Sequence, residues 1–76
     1  MARVAQLIPE DETYIAWKVF TPDFSQGFRE DMLKIPQQMR HWNGEEKCWV
    51  VDSDWVEHCE RLLRRYYPDA VIERQD

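Results

Sequence analysis

Four residues around one turn signal carry the first hint of chemistry. Arg40, Trp42, Lys47 and Trp49 sit at alternate positions on either side of Asn43-Gly44. Asn-Gly between strand-like residues is the strongest short hairpin signal, and alternate residues of a strand share a face. Pairing across a two-residue or a four-residue loop gives the same assignment: Arg40, Trp42, Lys47, Trp49 and Val51 on one face, Met39, His41, Cys48 and Val50 on the other. Indole rings interleaved with cations form a platform on which bases stack while Lys and Arg hold phosphates, each stacked base contributing about 1 to 3 kcal/mol. Lys18, Lys34, Arg61, Arg64 and Arg65 are the flanking cations. The structural alternative is that the Trp side chains pair across strands, lie under the aliphatic stems of the cations, or pack on the N-terminal segment.

Other reactive types are less well arranged. His41, Cys48, His58 and Cys59 are metal-ligand types, but there is no C-x-x-C pair, and His58 and Cys59 are adjacent, about 100° apart on a helix. Cys48 and His41 could form a nucleophilic pair across the hairpin, although a small apolar residue in a strand facing helices accounts for Cys48 equally well. Asp52, Asp54 and Glu57 read as helix-capping residues rather than as ligands for a hard cation. Gly27 and Gly44 are the only glycines, so there is no Gly-rich phosphate loop. No catalytic residue, metal or cofactor is expected.

The elements that must position these groups follow from pattern and punctuation. Thr13 to Thr21 is β-branched and aromatic, the composition of a strand, with Ile15, Trp17 and Val19 on one face and Tyr14, Ala16, Lys18 and Phe20 on the other. Arg3 to Ile8 reads as an extra edge strand, so that residues 1–12 form either that strand or an arm. Thr21-Pro22-Asp23 reads as a helix start, followed by Phe24, Phe28, Met32 and Ile35 at helical spacing and ended by Pro36. Gly27 weakens that helix unless a close approach to the sheet needs it. After the hairpin, Ser53 or Asp54 caps a second helix with Glu57 reaching back. Its apolar stripe is Trp55, Val56, Cys59, Leu62, Leu63 and Tyr66. Ala70 to Arg74 closes the chain as a strand. The order is βαββαβ, the split βαβ of ferredoxin-like folds. The expected fold class is α+β, an antiparallel sheet with two helices on one face.

The 76 residues fit one domain, 1–76, and exclude a two-domain enzyme. With 43% hydrophobic and 13% aromatic residues the chain has the side chains a core needs, yet a domain this small has little room for a deep substrate cavity as well. The net charge of −5 argues against wrapping phosphate backbones over the whole surface. Both ends are acidic and the middle is balanced, so an anion-binding patch must be local. Two cysteines in apolar surroundings read as reduced core thiols, and no stretch looks like a signal peptide or a membrane span, which points to a cytoplasmic protein.

The stretch L-K-I-P-Q-Q-M-R-H-W-N-G-E-E-K-C-W-V-V, followed by W-V-E-H-C-E-R-L-L, resembles the HARP domain over about residues 28–66. The matching positions are Ile35, Pro36, Trp42, Lys47, Trp49 and Val51, with Leu62 and Leu63 in the following helix. Gln37 departs from the Gly usual after the Pro, and Glu45-Glu46 add negative charge at the turn. HARP domains accompany annealing helicases of the SNF2 class and bind DNA at single-strand to double-strand junctions. The resemblance therefore implies a non-catalytic module that binds single-stranded or branched nucleic acid through Arg40, Trp42, Lys47 and Trp49. The alternative is a small protein-binding adaptor or inhibitor, of the kind a phage or mobile element encodes, docking through the same aromatic face or the acidic surface. A homodimer burying that face is a third arrangement.

Overall fold

The computed structural model describes residues 3–75; Met1, Ala2 and Asp76, which belong to the expected single domain, lie outside the described residues. The elements in chain order are β1 (Val4–Pro9), β2 (Ala16–Phe20), α1 (Gln26–Met32), β3 (Arg40–Asn43), β4 (Cys48–Asp52), α2 (Val56–Tyr66) and β5 (Val71–Arg74). Single 3-10 turns, Gln37–Met39 and Ser53–Trp55, lead into β3 and α2. The fold is α+β, as expected, and from β2 onward the expected βαββαβ order is present.

The sheet order is β3-β4-β2-β1-β5, and this corrects two expectations. The N-terminal segment is neither an edge strand nor an arm, because β1 lies between β2 and β5. The sheet is mixed rather than antiparallel, because β1 and β5 run parallel while the other three pairings are antiparallel. The cause is local. β1 and β2 form a tight hairpin, closed by the Glu10 N–H donating to the Ala16 carbonyl (2.8 Å) and by the Asp11 carboxylate accepting from the Thr13 N–H (2.9 Å). Short loops close at low entropic cost, so β1 takes the edge of β2 that the ferredoxin-like order would give to the closing strand. β5 then pairs with the far edge of β1. Tyr14 takes a left-handed φ of 59° in this hairpin, which delays β2 to Ala16.

Residues opposite one another across the strands share a face, and the row Trp17↔Val51, Val19↔Trp49, Leu7↔Val19 runs beneath the helices. Ala5, Leu7, Trp17, Val19 and Val51 meet Phe28, Met32 and Ile35 from the α1 side and Val56, Cys59, Leu62 and Leu63 from α2 in one core cluster. This reverses the expected facing of the hairpin. Arg40, Trp42, Trp49 and Val51 do share a face, but it is the face toward the helices, while Val50 lies opposite Lys18 on the open side. Lys18, Gln6 and Glu73 mark that side as the wet one. Cys48 and Val50 are only 1% and 2% exposed even there, although neither belongs to the core cluster beneath the helices.

Both helix starts also differ from expectation. α1 begins at Gln26, with the Ser25 hydroxyl accepting from the Phe28 N–H (3.2 Å), because residues 21–25 are held in an irregular loop. The Tyr67 hydroxyl donates to the Asp23 carbonyl (2.7 Å), and Arg3 bridges Asp23 and Asp69. Phe24 consequently leaves the core and is 76% exposed. At the second helix neither Ser53 nor Asp54 caps: the N-cap position is Trp55, with no side-chain hydrogen bond, while Asp52 caps the preceding 3-10 turn by accepting from the Asp54 N–H at 2.9 Å and Glu57 turns to Arg74. The hairpin loop is Gly44–Lys47, since Asn43 pairs with Cys48. The Asn43 side-chain oxygen accepts from the N–H groups of Glu45 and Glu46, and Lys47 takes a left-handed φ of 56°.

Gly27 is required by α2 rather than by the sheet. A Cβ there would lie 2.6 Å from Cε1 of Tyr66, whose ring is held edge-on by Phe28 and whose hydroxyl donates to Asp31. Helix propensity would favour Ala by up to about 1 kcal/mol, whereas overpacking costs about 1 to 3 kcal/mol. Gly27→Ala is expected to lower the urea midpoint, and a raised midpoint would show that the ring yields freely. Lys47→Gly is expected to act in the opposite sense. Relief of a left-handed residue, about 1 to 2 kcal/mol, outweighs the flexibility glycine adds. Thermal unfolding should move up by a few degrees.

Candidate binding groove and the fate of the cations

The two short helices leave the outer strand uncovered on their own side of the sheet. α2 packs on β1 and β5, and α1 lies beside it, so β3 projects past them. Trp42, on β3, is 53% exposed and stands edge-on against Trp49, its cross-strand partner (ring centroids 5.4 Å apart, 72° between planes). Trp49 is partly buried and packs on the core. Across from them stand Phe24 and Phe28 from the start of α1, with Tyr67 from the end of α2. Together with Thr21, Ser25 and Arg29 these residues line an open groove of about 340 Å³. Five of its eight lining residues are aromatic, and Arg29 is the sole charged one.

The indole rings at 42 and 49 are thus together, but on the helical side and with Trp49 partly buried rather than on an open sheet face, and the expected cations are elsewhere. The Arg40 guanidinium turns to the end of α1, its Nε donating to the Ile35 carbonyl (3.0 Å) and Nη2 to the Leu33 carbonyl (3.2 Å). A cation on these carbonyls satisfies acceptors that the helix end leaves free. Lys18 is on the opposite sheet face, with Nζ 2.7 Å from Glu46, and this contact raises its pKa despite some burial. Lys34 pairs with Asp31 (3.0 Å) and Arg64 with Glu60 (2.9 Å). Arg65 lies over the Tyr66 ring. Lys47 and Arg61 are exposed and do not line the groove. No aromatic and basic sheet face forms, because a strand's alternation says nothing about which nearby carboxylate or carbonyl a long side chain will reach.

Comparison with protein-family models, with curated proteins and with solved structures found no match. The groove has to be read from its own chemistry.

Sequence reasoning missed six of the eight lining residues: Thr21, Phe24, Ser25, Phe28, Arg29 and Tyr67. Helical spacing puts Phe24 in a core stripe, and its exposure depends on the Asp23 loop being pinned by Tyr67 and Arg3. Arg29 carries no side-chain hydrogen bond or ion pair to the described residues. Among the described residues no three His, Cys, Asp or Glu side chains cluster as a metal site would require. The thiols are poorly set for nucleophilic work. Burial raises Cys59 to about 12, and burial followed by the charges of Glu46 and Glu10 raises Cys48, so both stay protonated at neutral pH.

The ion pairs that engage the cations have a pH signature. The Tyr66 hydroxyl and then Lys34 lower the pKa of Asp31, Arg3 lowers that of Asp69, Arg74 that of Glu57, and Arg64 followed by Arg74 that of Glu60. A carboxylate whose folded pKa is depressed stabilises the fold above its unfolded value, about 4, and loses that contribution as pH falls through the folded value. The urea midpoint should therefore hold between neutrality and pH about 5 and fall below pH about 4. These pairs are near solvent, so added salt should flatten the fall. A midpoint independent of pH down to about 2 would show that the pairs contribute nothing.

Proposed function

We propose that this chain is a non-catalytic binding module that docks on another protein. It takes a large apolar side chain of the partner into the groove between Phe24 and Trp42 and meets an adjacent carboxylate with Arg29. The observation that carries this reading is the lining itself: five aromatic rings, one cation without a partner among the described residues, and no carboxylate. Buried aromatic and arginine anchors are the side chains that most often dominate protein interfaces. An exposed aromatic cluster in so small a domain has few other uses. The net charge of −5 also disfavours a polyanion as the principal partner. Two free buried cysteines support a reducing, cytoplasmic setting. Among the described residues no helix is long and apolar enough to cross a membrane.

The nucleic-acid reading that accompanies the HARP resemblance draws on the same place. A half-exposed indole at Trp42 beside Arg29 offers one stacking surface and one phosphate contact. It lacks the run of free cations that gives single-strand binders their affinity.

Selection of peptides from a displayed random library separates the two. Bound peptides are expected to share an aromatic or large aliphatic residue next to Asp or Glu. Trp42→Ala, Phe24→Ala and Arg29→Glu should each weaken them about tenfold or more, roughly 1.4 kcal/mol, while Lys47→Glu should not. Trp42 and Phe24 are exposed enough for the fold to survive, which far-ultraviolet circular dichroism can verify. If no peptide is enriched and forked or single-stranded DNA instead quenches tryptophan fluorescence in a salt-sensitive way lost in Trp42→Ala, nucleic-acid binding replaces protein docking as the function of the groove.

A further inference from the structure

A second concavity lies at the other end of α1, on the helical side of the molecule and away from the aromatic groove. It has a volume of about 280 Å³ and is lined by Asp31, Lys34, Trp55, His58, Leu62 and Arg65. Its residues come from three places in the chain that the fold brings together. Trp55 closes the 3-10 turn before α2, His58, Leu62 and Arg65 recur along one face of α2, and Asp31 and Lys34 come from the end of α1.

The floor and the rim differ in chemistry. Leu62 is nearly fully buried, and Trp55 and His58 meet edge to face (ring centroids 5.3 Å apart, 88° between planes), so the apolar lining of Leu62 and Trp55 has an imidazole beside it. The rim carries Lys34 and Arg65. The single carboxylate, Asp31, is already occupied: its oxygens accept from the Tyr66 hydroxyl and from Lys34 Nζ at 3.0 Å. The hydrogen bond and charge of Asp31 raise the pKa of Lys34, with Arg65 opposing to a smaller extent. Lys34 is thus offset by Asp31, and Arg65, which lies over the Tyr66 ring, leaves the rim one positive charge in excess. In a chain with net charge −5 this is a local excess of positive charge over an aromatic floor.

We infer that this concavity binds a small organic anion with a flat apolar body, of mononucleotide type, whose ring lies on Trp55 and Leu62 and whose anionic group is held between Lys34 and Arg65. Three features select that class. The volume greatly exceeds what a bare phosphate or carboxylate fills, and such small sites are mostly apolar with a few placed polar groups. An indole face suits a planar ring. Arginine offers a fork matched to phosphate or carboxylate oxygens, and lysine adds a point charge. The His58 ring supplies a nitrogen within the same wall for a polar edge of the ligand. This site uses none of the residues of the aromatic groove, so it stands or falls apart from the docking reading.

The test is a titration of the full chain, labelled with nitrogen-15, by adenosine monophosphate, by adenosine and by inorganic phosphate. The four indole N–H signals report the four tryptophans separately. Adenosine monophosphate is expected to shift the Trp55 indole and the backbone amides around Lys34, His58 and Leu62, saturating in the millimolar range or below. Adenosine and inorganic phosphate should each bind at least several-fold more weakly. The Lys34→Gln, Arg65→Gln double variant should weaken adenosine monophosphate about tenfold, while its spectrum keeps the dispersion of the parent fold. Lys34 and Arg65 are both exposed, so folding is not at risk. Three outcomes would overturn the inference: no shift at Trp55 at millimolar ligand, phosphate alone matching the nucleotide, or shifts confined to Trp42 and Trp49.

Discussion

The structure depends on one row of contacts on the face toward the helices: Trp17 against Val51 and Val19 against Trp49, of which only Trp49 stays partly open to solvent. Trp17 is 4% exposed and has Arg74 over its ring at 5.1 Å. A tryptophan and a valine sealed in this way each contribute on the order of 2 kcal/mol or more by area, so the row decides which sheet face the helices cover. Everything at the surface follows from that decision. With Trp49 inward, its cross-strand neighbour Trp42 must also point to the helical side. Two helices of seven and eleven residues are too short to reach it. The aromatic groove is the uncovered remainder of the core face, not a patch on the open sheet.

Much of the architecture was legible in the sequence, and the reasons for the failures are specific. Strand composition at Ala16–Phe20, the Asn43-Gly44 turn and the stripe Val56, Cys59, Leu62, Leu63 each specify an element locally, and each element is present. The facing of the hairpin was not legible from the hairpin alone. β4 is apolar on both sides, with Cys48 and Val50 on one and Trp49 and Val51 on the other, so its alternation is silent about which side is core. The missing information lay in β2, where Lys18 marks one face as wet and Trp17 and Val19 mark the other as buried. Using it requires knowing that Lys18 stands opposite Val50, a non-local register that no single segment encodes. The place of β1 was hidden for a related reason: the turn after Pro9 lacks a strong hairpin signal, and the Asp11 and Tyr14 geometry that closes it shows only in three dimensions.

The cations teach the same lesson in electrostatic form. A lysine or arginine side chain reaches far enough to choose among several partners, and a chain with fifteen acidic residues offers many. Lys18, Lys34 and Arg64 find carboxylates, Arg40 finds helix-end carbonyls, and Arg65 lies on an aromatic ring. Surface pairs of this sort contribute little to stability one by one. Their larger effect is on the field around the molecule, because a carboxylate offsets the charge of Lys18, Lys34 and Arg64, whereas Arg40 on carbonyls and Arg65 on a ring keep theirs. Arg29, of no interest in the sequence, becomes the charge that matters at the groove because no carboxylate among the described residues is bound to it.

The short helix α1 has to be held still for either concavity to have a shape. Seven residues are too few for a helix that is stable by itself, and α1 is accordingly fastened at both ends. Ser25 caps its start, and Tyr67 holds the preceding loop through the Asp23 carbonyl. Arg40 closes its end through the carbonyls of Leu33 and Ile35, and the Tyr66 hydroxyl grips Asp31. The absence of a side chain at Gly27 lets the Tyr66 ring lie directly against the helix. Two adjacent tyrosines at the end of α2 thus hold α1, Tyr66 through Asp31 and Tyr67 through the preceding loop, with both rings against Phe28. The Phe28 side chain beneath the groove and the Asp31 carboxylate beside the second concavity are both in contact with Tyr66. Through that shared contact α1 stands between the aromatic groove with Arg29 and the second concavity with Trp55, Lys34 and Arg65.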